Sequence, residues 1–419
     1  MGNFIEFLYS RFLLSDGVSI DTRTIKENNL FFAVSGPHFN ANEFAIRALE
    51  KGASYAVVDD EKYVTDDRII LADDGLEALQ KLAIFHRDRF KRPVLGITGS
   101  NGKTTTKELI AKVLDTKFTI HYTQGNYNNH IGVPLTLLHI HPQVEIAIIE
   151  MGANHVGEIA SLCAMAKPTH GLITNIGRAH TETFGGIEGV IRGKSELYDY
   201  LRKTEGQVFI NISDPVLSNM AKRFESPITY PEDDFKLLSS HPFLRVSIAD
   251  KAQESRTIGR YNFPNMAAAA ALGRHFEIED EVILEALSQY ESDNSRSQLI
   301  KSGNNTIILD AYNANPDSMK VALEHLAEQE GKKLAIIGDM NELENPDEQH
   351  QEVLDHAETH GIQLFTVGEK IGRVAKAESH FNSKEELVLA VKKLNLSNTT
   401  VLLKASRSIK LETILKSFE

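Results

Sequence analysis

The sequence predicts an α/β protein built from three domains: a small N-terminal α/β domain, a central domain around a parallel sheet, and a C-terminal Rossmann-like domain. A length of 419 residues is too great for one ordinary domain. Strand-like and helical segments alternate twice, before and after a polar stretch at 292–297. We therefore expect domains at 1–91, 92–294 and 295–419.

Apolar runs bounded by turn signals give the elements of each domain. The N-terminal domain has expected strands at 30–34 and 55–58 and expected helices at 43–51 and 76–90. The central domain has expected strands at 94–98, 146–150, 172–174 and 208–210, expected helices at 155–166, 187–201, 263–275 and 281–290, and a short antiparallel excursion at 225–258. The C-terminal domain has expected strands at 306–310, 334–337, 364–367 and 400–403 and expected helices at 317–329, 347–359, 384–394 and 408–418.

Composition excludes several classes of protein. Hydrophobic residues make up 42% and charged residues 25% of the chain, as in globular proteins with substantial cores. The net charge of −13 argues against nucleic acid as a partner. Cys163 is the only cysteine, which excludes an intrachain disulfide and fits a reduced, cytosolic setting. No stretch is apolar enough to span a membrane, and the apolar residues at 1–14 lack the features of a signal peptide.

A glycine-rich turn between the strand at 94–98 and the helix after it predicts a nucleotide phosphate site. Backbone N–H groups at a helix N-terminus attract anions, and a lysine and a threonine add a cation and a hydroxyl that faces a metal ion. Ile97 departs from the general phosphate-loop pattern, and an ordinary turn between strand and helix is the alternative. The loop residues are Gly99, Ser100, Asn101, Gly102, Lys103, Thr104 and Thr105.

Polar residues that follow other strands are candidates for the same site, because ligands of open parallel sheets bind at the carboxyl ends of the strands. Glu150 could hold a Mg²⁺ ion that bridges phosphates, with a helix cap or a surface acid as the alternative. His180 follows the strand at 172–174 and is as consistent with a structural histidine as with a ligand. Lys194, taken alone, is indistinguishable from a solvated lysine.

Two further segments suit substrate binding. The loop at 123–134 is rich in asparagine, which both donates and accepts hydrogen bonds, although asparagine is also common in plain turns. The segment at 310–316 ends the first expected C-terminal strand, and Pro316 should open the next helix. Arg296 could reach a γ-phosphate when the domains close, and Arg407 should lie at the start of the last helix, where anions bind.

Together these motifs resemble the ATP-dependent Mur ligases of bacterial peptidoglycan synthesis, and among them the MurF type most. The phosphate loop, the segment at 150–159 and the asparagine-rich loop are similar to the corresponding MurF segments. The most specific similarity is Asp310 followed by Tyr-Asn-Ala-Asn-Pro-Asp-Ser-Met at 312–319. Further resemblances lie at 21–23, 30–36, 175–180, 338–343 and 404–407.

The resemblance implies an enzyme that uses ATP to join D-Ala-D-Ala to UDP-MurNAc-tripeptide through an acyl phosphate. That reaction is the last cytoplasmic step in the synthesis of the peptidoglycan precursor. The N-terminal domain would bind the UDP-muramyl substrate, and the central domain would be the P-loop ATPase domain. The C-terminal domain would close over the acyl phosphate, since that group must be shielded from water. The partners would be these small molecules, and we expect a monomer.

The resemblance also implies roles for particular residues. Lys103, Glu150, His180, Lys194 and Arg296 would be catalytic. One Mg²⁺ would be held by Thr104 and Glu150, and a second by His180 and a carbamylated Lys194. ATP would be bound by the glycine loop with Asn262, Arg296, Asp310 and Tyr312, and the other substrates by Thr22, Arg23, Thr123, Asn126, Asn128, Asn129, Asn315, Ser406 and Arg407.

Several positions depart from the family pattern. Tyr261 precedes Asn262 where the family commonly has histidine, and Ala405 and Ala311 replace a common glycine and a common acid. Asn40-Ala41-Asn42 stands where Asp-Gly-His is common. These departures concern adenine and uridine contacts rather than the phosphate and metal site.

Other functions remain compatible with parts of this pattern. A MurE-like ligase or a folylpolyglutamate synthetase-like ligase would share the fold, but the asparagine-rich loop and the segment at 310–316 argue against both. A P-loop ATPase or kinase acting as a switch would release phosphate without an amine acceptor. A binding protein that has lost catalysis would not be expected to keep Lys103, Glu150, His180 and Lys194 together.

Overall fold

The computed structural model describes residues 2–292 and 294–418. Its N-terminal part is a parallel four-stranded sheet with strand order β1-β2-β3-β4. Asp74 caps the third helix by accepting from the backbone N–H of Glu77. The elements are α1 (Gly2–Leu13), β1 (Val18–Ser19), β2 (Leu30–Phe32), α2 (Ala45–Glu50), β3 (Tyr55–Val58), β4 (Ile69–Leu71) and α3 (Gly75–Arg87).

The central part is a parallel six-stranded sheet with strand order β10-β9-β8-β5-β7-β6. Strands β5 and β7 are buried along their whole length, as expected for neighbours in the middle of a covered parallel sheet. The strands are β5 (Val94–Thr98), β6 (Ile120–Tyr122), β7 (Ile146–Glu150), β8 (His170–Ile173), β9 (Gln207–Asn211) and β10 (Ile228–Tyr230). The helices are α4 (Lys103–Leu114), α5 (Gly132–Leu138), α6 (Glu158–Ala166), α7 (Thr181–Phe184), α8 (Ile187–Lys203) and α9 (Pro215–Met220).

The expectation of one antiparallel excursion at 225–258 is only partly right. Strand β10, within that range, pairs in parallel with β9 and so belongs to the central sheet. The rest forms an antiparallel three-stranded sheet of β11 (Phe235–Ser239), β12 (Arg245–Ile248) and β13 (Lys251–Glu254). Two helices, α10 (Phe263–His275) and α11 (Asp280–Ser288), then complete the central part.

The C-terminal part is a second six-stranded sheet, of order β14-β15-β19-β16-β17-β18. All its pairs are parallel except β14 with β15, and β14 is a strand that was not predicted from the sequence. Asn315 and Ser318 form a reciprocal capping box, and Pro316 is the first residue of the helix, as expected. The elements are β14 (Gln298–Ser302), β15 (Asn305–Leu309), α12 (Pro316–Ala327), β16 (Lys332–Gly338), α13 (Pro346–Thr359), β17 (Gln363–Val367), α14 (Glu369–Gly372), β18 (His380–Phe381), α15 (Lys384–Lys393) and β19 (Thr399–Lys404).

The last expected helix differs from the structure in type and in position. Residues Leu411–Phe418 form a 3₁₀ helix rather than an α-helix over 408–418. Arg407 therefore lies in the turn before it and not at a helix start. Its guanidinium pairs with Glu412, 2.9 Å away, which removes the physical reason given for an anion site there.

The N-terminal and central parts share one hydrophobic core. Leu79 and Leu82 of α3 belong to the same buried cluster as Leu135 and Leu138 of α5. The polar stretch at 292–297 joins the central and C-terminal parts, and Asp293 within it lies outside the described residues. Among the described residues, no helix is long and apolar enough to cross a membrane.

Candidate active site at the strand ends

A cavity of about 940 Å³ lies at the carboxyl ends of the central strands. Its walls come from the glycine loop, the asparagine-rich loop and the residues after β7 and β8. The C-terminal part adds a further wall through the segment that links β15 to α12. Sheets of this kind bind ligands at such an edge, so the cavity is the candidate active site.

The glycine loop needs glycine at two positions. Gly99 has a φ of +142°, and a Cβ atom there would lie 2.0 Å from Thr174 Oγ1. Gly102 has a φ of +78° and precedes α4, where a Cβ atom would lie 2.9 Å from Asn265 Oδ1. The loop thus turns sharply and presents the N-terminus of α4 to the cavity.

Lys103 is the first residue of α4 and folds back over the loop. Its Nζ donates to the carbonyl oxygens of Gly99, at 2.7 Å, and Ser100, at 3.1 Å. Burial lowers the pKa of Lys103 to about 8, partly offset by the nearby Glu150 carboxylate. An anion bound in the glycine loop would favour the charged form of Lys103 and would compete with these carbonyl oxygens for its ammonium group.

Glu150, the last residue of β7, is a buried carboxylate beside the loop. Its Oε1 accepts from Thr104 Oγ1 at 3.2 Å and from Asn128 Nδ2 at 2.8 Å. Its backbone N–H donates to Thr123 Oγ1, so the role of Thr123 in the structure is to hold this strand end. Within the described part of the chain, Oε2 has no hydrogen-bond partner. An unsatisfied buried carboxylate oxygen next to a threonine hydroxyl fits a hard metal ion.

Lys107 is part of this site although the sequence analysis did not single it out. It lies one helical turn after Lys103, and its Nζ is 3.7 Å from Glu150 Oε2. Both side chains are 1% exposed. The four-residue spacing from Lys103 places both lysines on one face of α4, and that spacing was visible in the sequence.

His180 and Lys194 both lie near the loop that follows β8, but only His180 lines the cavity. His180 contacts the carboxylate of Glu342 from the C-terminal part. Lys194 is 1% exposed, and its Nζ donates to the carbonyl of Ala153 at 3.1 Å. Burial, and then the charge of Lys103, hold the pKa of Lys194 well below its usual range. The described residues contain no group of three His, Cys, Asp or Glu side chains arranged to hold a metal ion.

The asparagine-rich loop supplies side chains with different tasks. Asn128 holds Glu150, as described above. Asn129 holds the turn that leads into α5, because its Oδ1 accepts from the N–H groups of Ile131 and Gly132. Asn126 lines the cavity as well.

Arg296, Asp310 and Tyr312 form the C-terminal wall of the cavity. The Arg296 guanidinium lies 3.7 Å from the centre of the Tyr312 ring, which is a cation–π contact. Asp310 pairs with the buried Lys404 at 2.6 Å. Lys404 also donates to the carbonyl of Asn313, so one buried lysine holds two residues of this wall in place.

Asn262 belongs to a buried chain of hydrogen bonds behind the loop. Its Nδ2 donates to the carbonyl of Ile258, and its Oδ1 accepts from Asn265. Asn265 in turn accepts from Thr106 of α4. Tyr261, beside it, lines the cavity and lies 2.7 Å from Ser297 Oγ through its hydroxyl.

Two family models match the chain: the Mur ligase middle domain over residues 97–273 and the Mur ligase, glutamate ligase domain over residues 295–407. A UDP-N-acetylmuramoyl-tripeptide–D-alanyl-D-alanine ligase from Bacillus subtilis is 37% identical, over 96% of this chain and 92% of that protein. The Escherichia coli ligase of the same name is 32% identical, over 96% of this chain and 94% of that protein. The chain belongs to the MurF family of Mur ligases.

Solved structures agree with this assignment. MurF ligase from Thermotoga maritima, crystallised in complex with ADP, matches with a TM-score of 0.84 and 26% identity, covering 97% of each chain. MurF from Acinetobacter baumannii matches with a TM-score of 0.83 and 27% identity, covering 96% of this chain and 92% of that chain. The three-part α/β fold and the use of ATP are therefore those of a MurF-type ligase.

Most of the residues that the sequence predicted line this one cavity of the MurF-family chain. They are Ser100, Asn101, Gly102, Lys103, Thr104, Thr105, Asn126, Asn128, Asn129, Glu150, His180, Asn262, Arg296, Asp310, Tyr312 and Asn315. The predicted residues outside the lining are Thr22, Arg23, Gly99, Thr123, Lys194, Ser406 and Arg407. Arg23 is exposed and pairs with Asp21, and Ser406 accepts from the backbone N–H of Asn341.

Polar contacts join the central and C-terminal parts beside the cavity. Arg178, after β8, donates to Asp317 of α12 at 2.7 Å and to Glu352 of α13 at 2.8 Å. Asn315 Nδ2 donates to Asn101 Oδ1 of the glycine loop at 2.7 Å. The phosphate loop of this Mur ligase is thus hydrogen-bonded directly to the N-cap residue of α12.

Proposed function

We propose that this protein joins D-alanyl-D-alanine to UDP-N-acetylmuramoyl-tripeptide at the expense of ATP. The observation that carries the proposal is one cavity that combines a phosphate loop, a buried carboxylate and a wall from the C-terminal part. The curated MurF relatives, similar over nearly the whole chain, supply the substrates. A MurE-like or folylpolyglutamate synthetase-like ligase and a plain ATPase switch remain the alternatives to be tested against it.

The reaction runs in two steps. The terminal carboxylate of the tripeptide attacks the γ-phosphorus of ATP, which gives an acyl phosphate and ADP. The amine of D-Ala-D-Ala then attacks the acyl carbon, phosphate leaves, and the new amide loses a proton to solvent. Such phosphoryl transfer depends mainly on positioning and on neutralising charge.

We assign the charge-neutralising roles to Lys103 and Arg296. Lys103 already lies over the loop, and Arg296 lines the opposite wall beside Tyr312. ATP would lie in the glycine loop, with Asn262, Asp310 and Tyr312 around its nucleoside part. Asn262 would act through the buried chain that ends on Asn265 and Thr106.

Mg²⁺ would be held by Thr104 and Glu150, whose Oε2 has no hydrogen-bond partner among the described residues. When bound, the ion would offset phosphate charge. A second ion would be held by His180 and a carbamylated Lys194. Lys194 is buried near Lys103 with a carbonyl as acceptor, so a carbamate would replace a poorly placed cation by an anionic oxygen donor. The carbamate forms from the neutral amine and CO₂ with release of one proton.

Lys194→Ala tests the carbamate. We expect the variant to lose most ligase activity and to regain part of it with an excess of a small carboxylic acid, because the added carboxylate can occupy the vacated ligand position. Ligation rates with and without acetate measure this. Lys203→Ala, on the same helix and exposed, is the matched control. A Lys194→Ala enzyme with full activity and no response to acetate would contradict the carbamate.

The remaining residues are proposed to recognise the two substrates. The asparagine-rich loop, with Asn126, Asn128 and Asn129 in the cavity, suits the amides and hydroxyls of the muramyl peptide. Thr22 and Arg23 would contact the uridine nucleotide from the N-terminal domain at 1–91. Asn315, Ser406 and Arg407 of the C-terminal domain at 295–419 would bind the incoming dipeptide, with ATP held by the central domain at 92–294. For Arg407 this requires release from Glu412.

The reaction belongs to the cytoplasmic part of peptidoglycan precursor synthesis, and we propose that the protein works there as a monomer. The experiment that tests the function measures phosphate release with UDP-MurNAc-tripeptide alone, D-Ala-D-Ala alone, or both. Release that needs both substrates supports the proposal. Release without the dipeptide would favour an ATPase switch, and release with a different amine acceptor would favour another Mur-type ligase.

A further inference from the structure

The hydrogen bonds of Glu150 do not compensate the negative charge of its buried carboxylate. The carboxylate is 1% exposed, and Thr104 and Asn128 both donate to the same oxygen, Oε1. Both donors are neutral. A buried carboxylate needs a compensating cation, because burial strongly disfavours the charged form.

The P-loop lysine acts on Glu150 only through its charge at longer range, and within the described residues the two side chains form no ion pair in contact. Lys103 is committed to the carbonyl oxygens of Gly99 and Ser100. Lys107 instead faces the second oxygen of Glu150, at 3.7 Å from Oε2. That distance is within ion-pair range but longer than a hydrogen bond, so the lone pairs of Oε2 stay free.

Lys107 is held in this position by its surroundings. It is 1% exposed within α4, and its Nζ lies 5.7 Å from the centre of the Tyr122 ring at the end of β6. Tyr122 therefore adds a second weak attraction for the cation. A lysine placed this way compensates the carboxylate without occupying the oxygen that a metal would use.

We propose that Lys107 is the resident counter-cation of Glu150, a positioning residue that holds this buried carboxylate by an ion pair and leaves its Oε2 without a hydrogen bond while no metal is bound. The same charge opposes an arriving Mg²⁺ and so sets how much Mg²⁺ the enzyme requires. The second statement rests on the proposed role of Glu150 as a magnesium ligand. The first does not depend on the reaction that the enzyme catalyses.

The first test is a double-mutant cycle on the full-length protein in EDTA, read as melting temperature. Lys107→Met keeps most of the side-chain length and removes the charge. We expect it to lower the melting temperature when Glu150 is present. In the Glu150→Gln background we expect no loss or a gain, because Lys107 is then itself an unpaired buried cation.

Equal loss in both backgrounds would overturn the proposal, since it would mean that Lys107 only packs. If Lys107→Met does not fold, the double variant Lys107→Met/Glu150→Gln decides: recovery of a folded protein supports the proposal, and no recovery overturns it. Lys112→Met, the same change at an exposed lysine of α4, controls for helix effects.

The second test is a Mg²⁺ titration in the presence of ADP, followed by thermal shift. We expect Lys107→Met to reach half of its shift at a roughly tenfold lower Mg²⁺ concentration than the wild type, because a like charge has been removed. Lys107→Arg, which keeps the charge, should stay within about twofold of the wild type. An unchanged or higher midpoint for Lys107→Met would overturn the metal statement. Ligation by the wild-type enzyme is measured separately. If the wild type does not ligate the two substrates, the proposed function is wrong, and the double-mutant cycle in EDTA still tests the ion pair between Lys107 and Glu150.

Discussion

Lys103 holds the glycine loop in the structure and is also the residue proposed to bind the γ-phosphate. Its ammonium group donates to two loop carbonyls, and burial lowers its pKa to about 8. A bound γ-phosphate would offer a stronger acceptor in the same place, because charge-assisted hydrogen bonds exceed neutral ones. The loop would then gain its ligand without moving its backbone.

Lys103→Ala should therefore leave the fold intact and reduce ligation by roughly a thousandfold, because the transferring phosphoryl group loses a preorganised cation. Circular dichroism and melting temperature check the fold, and phosphate release with both substrates checks the reaction. Lys112→Ala, at the exposed end of α4, is the control. Near-normal turnover by Lys103→Ala would contradict the role given to this lysine.

The residues of the site differed in how far the sequence revealed them. Lys103, Thr104 and Glu150 follow from strand-end position and loop chemistry, and the structure brings them together. Lys107 lies in an ordinary helical segment, and only the packing of α4 against β7 shows that it meets Glu150. Contacts between elements far apart in sequence are not encoded in local spacing, which is why this ion pair was missed.

Among the elements, β8 and α10 bring two partly buried histidines together. His170, the first residue of β8, packs edge-on against His275 of α10 with ring centres 5.2 Å apart. Burial, reinforced by His275, lowers the pKa of His170 to about 4. The unfolded chain therefore binds a proton here that the folded chain excludes between about pH 6.5 and pH 4.

The contribution of His170 to the free energy of unfolding is therefore fully present above about pH 6.5. It is lost as the pH falls toward 4, and the loss is about 1 kcal/mol at about pH 5.5. His170→Phe keeps an aromatic ring and removes the titration, so its unfolding free energy should fall less between pH 8 and pH 5.5 than that of the wild type. Urea unfolding at the two pH values measures the difference. Parallel losses in the two proteins would contradict the assignment.

The strands and helices were predicted well where the apolar pattern was long. Strands β5 and β7 and helices α8 and α10 agree with the sequence to within a few residues. The edge strands β6 and β18 were not predicted because 3 and 2 residues are too few to show an alternating pattern. Strand β14 was also missed, although it pairs with the adjacent β15 across a turn of only two residues, Gly303 and Asn304. The 3₁₀ helix at the end was mistaken for an α-helix because its apolar pattern also fits a helical period.

At the scale of the whole molecule, polar contacts between the central and C-terminal parts bring the walls of the cavity together. Arg178 joins the loop after β8 to Asp317 and Glu352, and Asn315 joins α12 to Asn101. Movement of the C-terminal part away from the glycine loop would break both sets of contacts. Closure of this kind would shield an acyl phosphate from water.

Arg178→Ala should let the C-terminal part move away from the central part in the ligand-free protein, because it removes two ion pairs between these parts. We expect a larger radius of gyration in small-angle scattering and a roughly tenfold lower ligation rate. The exposed Arg192→Ala, on α8, is the matched control. An unchanged radius together with an unchanged rate would show that Arg178 does not hold the parts closed.

Ligation through an acyl phosphate is tested most directly by following carboxylate oxygen into the products. UDP-MurNAc-tripeptide labelled with ¹⁸O in its terminal carboxylate is incubated with the enzyme, ATP, Mg²⁺ and D-Ala-D-Ala, and the products are analysed by mass spectrometry. The account predicts a pentapeptide product and one ¹⁸O atom transferred to each phosphate released from fully labelled substrate. Phosphate without ¹⁸O, or phosphate formed without the pentapeptide, would contradict ligation through an acyl phosphate at this site.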